Sequence, residues 1–123
     1  MTRKKPAFHT PLATLNVVGG KRLIEPLIYE SYLAGLLTVP RGFETDLASF
    51  SIGNLALRGK TEEPAVVHDY LYSKGVCDRA TADFIFREAL EAKGVGVIRR
   101  NLYWLAVRIF GGSHFKRRRA TKS

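Results

Sequence analysis

His68 and Asp69 stand side by side in an otherwise apolar run, Pro-Ala-Val-Val-His-Asp-Tyr-Leu-Tyr over residues 64–72. An imidazole serves as a general base near neutral pH, and a carboxylate orients such a base or binds a cation. Which of these Asp69 can do depends on the element that carries it. Thr61 suits an N-cap, Glu62 and Glu63 suit the positive end of a helix dipole, and Pro64 is tolerated in a first turn. The run therefore reads as a helix. On a helix His68 and Tyr72 share a face, whereas Asp69 is turned about 100° away from His68 and is badly placed to hold it. If His68 is a base, another group must orient it.

The next element supplies a candidate. Ser73-Lys74-Gly75 ends the first helix with glycine in the capping region, and Asp78 suits the N-cap of a second helix over 79–93. Ala82, Phe86, Ala89 and Leu90 form its apolar stripe, with Asp83 beside it. Two antiparallel helices joined by so short a loop bring the Asp83 carboxylate towards His68. Asp83 is thus the favoured orienting group. Arg79 and Arg87 lie four residues before and after it and offer a different role, helix-surface ion pairs worth ~0.3–0.5 kcal/mol each.

Upstream, residues 12–18 and 21–24 read as a hairpin around Gly19-Gly20, and strands follow over 27–33 and 36–39 after Pro26. This is a small antiparallel meander, of marginal stability until helices cover it. Residues 39–49 gather turn-formers and small polar groups. Asp46 there is open to three roles: metal ligand, partner for His68, or cap of the turn that begins at Leu47. Ser49 lacks the glycine-flanked elbow of a nucleophilic serine. Residues 50–60 read as an irregular loop whose backbone, at Gly53-Asn54, can approach an ion or phosphate. Downstream, Gly94 and Gly96 separate the second helix from a third over 97–110, with Ile98, Leu102, Leu105, Ala106 and Ile109 inward and Gly111-Gly112 as its stop.

The whole is an α+β single domain, a small N-terminal antiparallel sheet followed by three α-helices. Residues 1–11 form a basic arm, 12–112 the domain and 113–123 a basic tail. With 46% hydrophobic residues the chain can bury a core without staples. The single Cys77 excludes an internal disulfide and a cysteine-rich zinc site, and reads as a small buried apolar residue. No apolar run approaches a membrane span and no secretory signal is visible, so the expectation is a protein made in the cytoplasm. The net charge of +9 sits at the ends, and no acidic residue follows Glu91. Arg99, Arg100 and Arg108, interleaved with Tyr103 and Trp104, lead into Lys116, Arg117, Arg118 and Arg119. This composition suits an anionic membrane surface or nucleic acid, against the plainer readings of core aromatics and a solvated tail.

Two blocks, VPRGFETDLAS at 39–49 and PAVVHDYLYSKGVCDRATADFIFREAL at 64–90, resemble a family of small tailed-phage and prophage proteins grouped as a domain of unknown function. The aromatic-basic YWLAVRIFGG at 103–112 extends that resemblance. It implies a phage origin and association with late structural genes, hence a virion-associated or assembly protein of the tail or its neighbourhood. Such a protein would be made in the host cytoplasm and then carried in the virion, with other phage structural proteins as partners.

A narrower likeness concerns chemistry. His68-Asp69 followed by Tyr72 is similar to the HDxxY signature of calcium-dependent phospholipases of the secreted and parvoviral capsid kinds. In those enzymes the histidine activates water, the adjacent aspartate binds calcium and a distant aspartate orients the histidine. The resemblance implies His68 as general base, Asp69 as calcium ligand, Tyr72 as support and, by position, Asp83 as orienter. Calcium prefers several oxygen ligands, which Asp46 and backbone carbonyls near Gly53 would supply. The calcium loop of those enzymes is matched here only by the fragment at 50–54.

Overall fold

The computed structural model describes residues 5–45, 51–52, 55–56 and 59–121, with side chains described over 5–45 and 60–109. The architecture is α+β: short antiparallel strands come first and three helices follow. The strands are β1 (Ala7–Phe8), β2 (Thr14–Val17), β3 (Gly20–Leu23), β4 (Leu27–Ser31), β5 (Gly35–Val39), β6 (Glu44–Thr45), β7 (Ser51–Ile52) and β8 (Leu55–Ala56). The helices are α1 (Glu62–Lys74), α2 (Arg79–Ala92) and α3 (Val97–Thr121), with a 3-10 turn at Gly59–Thr61 leading into α1.

The strands do not form the single meander expected. They divide into a sheet ordered β1-β4-β5, a sheet ordered β2-β3-β6 and the β7-β8 hairpin. Pro26 explains part of the division: it has no N–H to donate and stands where the chain leaves one sheet for the other. The β2-β3 hairpin closes through Val18-Gly19, with Val17 paired to Gly20 and Gly19 at φ 87°. β4 alternates cleanly, Leu27, Tyr29 and Ser31 buried and Ile28 and Glu30 half-buried, as a strand covered on one face should.

Within the segment expected to be an arm, Ala7 pairs with Glu30 and Phe8 with Tyr29. The Phe8 ring lies 4.6 Å from that of Tyr29. A strand of two residues bracketed by Pro6 and Pro11 is too short to show a period, so only its docking on the β4 edge reveals it.

The core has two parts. Leu23, Leu27, Tyr29 and Val39 from the strands meet Val66, Val67, Leu71 and Ile85 from α1 and α2. Ala65, Phe86, Leu90, Val95, Tyr103 and Val107 fill the space among the three helices. Ala82, Phe86, Ala89 and Leu90 are all fully buried, as the periodicity of α2 requires.

α3 departs from expectation twice. It continues through Gly111-Gly112 to Thr121, because a glycine costs a helix interior only about 1 kcal/mol and the basic, alanine-containing segment beyond favours helix. Its rotation also differs. Tyr103, Ala106 and Val107 face the core, whereas Ile98, Leu102, Leu105 and Ile109, expected inward, are exposed. A polar anchor accompanies this setting: Arg79 Nη2 donates to the Val107 and Arg108 carbonyls.

Candidate active site

α1 begins where Thr61 closes the 3-10 turn. Thr61 occupies the N-cap position, but its backbone is already helical (φ −93°, ψ −8°) and its side chain makes no capping bond. Glu62 and Glu63 lie in the first turn, with Glu63 held by Lys93 Nζ at 3.1 Å. The helix stops at Gly75, which adopts the left-handed conformation (φ 62°) while Val76 N–H donates back to the Leu71 carbonyl at 3.3 Å. Glycine takes this conformation without the Cβ clash that other residues suffer. Asp78 then precedes α2 in extended conformation, and its carbonyl accepts from Ala82 N–H at 3.0 Å. With the turn this tight, α2 folds back along α1.

That return brings Asp83 to His68. His68 Nε2 lies 2.7 Å from Asp83 Oδ1, with the two side chains 4% and 0% exposed. The Tyr72 hydroxyl donates to the same oxygen, and Arg108 Nη1 donates to Oδ2 at 3.0 Å. Two tilted rings lie against the imidazole, with centroids 4.1 Å (Tyr72) and 4.8 Å (Phe86) away. Asp83 is therefore an inward group bonded from α1 and α3, and the surface-pair alternative is superseded. Arg87 Nε instead donates to Asn101 Oδ1 at 2.7 Å, and Arg79 to the α3 carbonyls.

Burial alone would push the Asp83 carboxyl up. The bonds from His68 and Tyr72, the charge of His68 and the bond from Arg108 outweigh it, and the group is held below the usual carboxylate range. Tyr72 is pushed well above the ordinary phenol value, first by burial and then by its bond to the Asp83 carboxylate. A carboxylate kept ionised against His68 favours a proton on the Nε2 that faces it. It would also stabilise the imidazolium that forms when His68 takes a proton.

Asp69 is buried (1% exposed) beside His68 on α1, and it is Asp83 that holds the imidazole. Asp46 and Gly53 lie outside the described residues, as do Ser49 and Asn54. Among the described residues no group of three or more His, Cys, Asp or Glu side chains is arranged to hold a metal. Calcium takes six to eight oxygens. The described donors, of which Asp69 is the single expected ligand, do not fit such an ion by themselves.

Of the cationic residues, Arg99 is exposed and donates to the Tyr103 hydroxyl at 3.3 Å. Arg100 is half-buried against the Val95 carbonyl at 3.3 Å. Lys116, Arg117, Arg118 and Arg119 lie on the α3 backbone beyond the described side chains.

The family model described as protein of unknown function (DUF1353) matches residues 21–107. The chain belongs to the DUF1353 family. No curated protein and no solved structure matches it. The DUF1353 match runs from β3 into α3, so it takes in His68, Tyr72 and Asp83 and stops one residue short of Arg108.

Sequence reasoning found three members of this cluster and missed the fourth, because it grouped Arg108 with the surface cations. Arg108 is 25 residues from Asp83 and on a different helix, so no local spacing signals the contact. Glu88 was missed likewise. It accepts from the Tyr29 hydroxyl at 2.6 Å and from Tyr32 N–H at 3.1 Å, tying α2 to β4.

Proposed function

We propose that His68 and Asp83 form the general-base dyad of a small hydrolase acting on ester bonds of the phospholipid class. The observation that supports this reading is the buried 2.7 Å bond from His68 Nε2 to Asp83 Oδ1, with Tyr72 on the same oxygen and Asp69 adjacent in sequence. This is the division of labour that the HDxxY resemblance implies. His68 takes a proton from water, the hydroxide adds to the ester carbonyl, and the proton passes to the departing alkoxide. Asp83 orients the ring and stabilises its charged form, and Tyr72 and Arg108 position Asp83.

The test is hydrolysis of mixed-micelle phospholipids by the purified chain. General-base catalysis contributes roughly 10²–10⁴-fold, so His68→Asn should lose about that much activity, and Asp83→Asn should lose activity and shift the pH profile. A folded wild-type protein inert towards every phospholipid, or a His68→Asn variant of full activity, would end this reading. Calcium-dependent thermal stabilisation lost in Asp69→Asn would add a metal to the site. At about 100 times its dissociation constant an ion contributes ~2.7 kcal/mol.

A second reading is favoured by the way Asp83 joins α1, α2 and α3. Here the cluster is structural, and the chain is a phage virion-associated or assembly protein of the tail region that docks on structural proteins, DNA or membrane through its basic end. His68→Asn would then cost stability without altering any hydrolysis, and the protein would be found in purified particles.

A further inference from the structure

α3 is apolar on two sides, and among the described residues one packs into the core while the other is exposed. Tyr103, Ala106 and Val107 pack into the core, while Ile98, Leu102, Leu105 and Ile109 recur at four-three-four spacing on another face and are 74%, 48%, 48% and 61% exposed. Beside this stripe, Phe84 of α2, itself 44% exposed, joins Trp104 and Leu105 in lining an open groove of about 450 Å³ edged by Arg87 and Asn101. Single exposed leucines are ordinary on any surface. A continuous stripe next to an apolar groove marks an interaction surface.

Charge decides what fits it. Residues 97–121 carry no acidic residue. Arg108 is bonded to Asp83 and Arg100 lies 3.9 Å from Glu91, so the cations that count are Arg99 and, further along the sequence, Lys116, Arg117, Arg118 and Arg119. Two copies joined through this stripe would set those charges against one another. Nucleic acid would satisfy the cations but offers no apolar counterpart to a row of leucines and isoleucines. An anionic bilayer offers both, taking apolar side chains below its headgroups while its phosphates meet Arg99 and the basic segment that follows. Among the described residues no helix is long and apolar enough to cross a membrane, so the contact would be interfacial.

We propose that the Ile98-Leu102-Leu105-Ile109 face of α3, with Arg99 and the Phe84-Trp104 groove beside it, docks on an anionic phospholipid surface. The proposal does not depend on catalysis, and its test measures binding alone. The full-length chain is titrated with vesicles of phosphatidylcholine and with equimolar phosphatidylcholine and phosphatidylglycerol, followed by sedimentation and by the emission of Trp104, the single tryptophan.

The expected result is binding to the anionic vesicles, weakened by salt, with a blue shift of Trp104. The double variant Leu102→Gln, Leu105→Gln should keep its melting temperature, since both residues are exposed, and should weaken the partition roughly tenfold or more. Arg99→Gln should weaken it about fivefold on anionic vesicles only. The proposal is overturned by equal or absent binding to the two vesicle types, or by a double variant that binds as wild type. It is equally overturned by a wild-type dimer that the double variant dissociates, or by binding to DNA with none to vesicles.

Discussion

Asp83 is a fully buried acceptor on α2. It has no exposed surface and accepts from three donors on two other helices. Removing a buried charge partner costs about 3–5 kcal/mol because the remaining charge keeps its desolvation penalty. Asp83→Ala, which strands Arg108 and the His68 and Tyr72 donors, should lower the unfolding free energy by that amount, read as a lower urea midpoint at unchanged slope. Tyr72→Phe, which removes one neutral donor, should cost about 1–2 kcal/mol. If both variants cost no more than a surface pair, the cluster holds nothing together. His68 meeting Asp83 was foreseeable from the short loop between their helices, whereas Arg108 arrives from a helix that local spacing cannot position.

At the scale of elements, the His68-Asp83 bond depends on the turn after α1. Gly75 stands at φ 62°, where any other residue suffers a Cβ clash of roughly 1–2 kcal/mol. Gly96 has no such requirement, and a Cβ built there meets nothing within 4 Å. Denaturant unfolding should therefore show Gly75→Ala destabilised by about 1–2 kcal/mol and Gly96→Ala within ~0.5 kcal/mol of wild type. Equal effects at both positions would mean that the turn does not set the register of the helix pair. The glycine signal before α2 was readable because a helix stop is a local backbone event. The glycines at 111 and 112 misled because their propensity cost is small enough for a long helix to absorb.

For the whole molecule, the buried titratable groups shape stability against pH. Asp83 has a folded value below its unfolded one, so its contribution is present above about pH 4 and is lost as pH falls through the folded value. Glu88 is pushed up, first by burial, so its ionisation opposes folding and that cost disappears as pH falls. The acid limb is therefore a difference between the two, and Asp83→Asn should flatten it. Tyr29 and Tyr72 are both raised by burial and by their carboxylate partners. Stability should fall from about pH 10 upward as the unfolded tyrosines ionise and the folded ones do not. Thermal melts across pH should show that alkaline loss reduced in Tyr29→Phe and Tyr72→Phe. An alkaline limb unchanged by both would place its origin elsewhere.

Short-range rules were enough for the α+β class, the helix pair and the Gly75 stop, each of which rests on capping or periodicity. They offered Asp83 to His68 as one of two readings, the other being surface pairs with Arg79 and Arg87. The partition of the strands into separate sheets, the pairing of Ala7–Phe8 with β4 and the rotation of α3 belong to tertiary structure alone. α3 shows why. Both of its faces are apolar enough to be buried, so hydrophobic periodicity ranks them nearly equally. The choice accompanies contacts 25 or more residues apart, Asp83 with Arg108 and Arg79 with the α3 carbonyls, which form only when the three helices are already together.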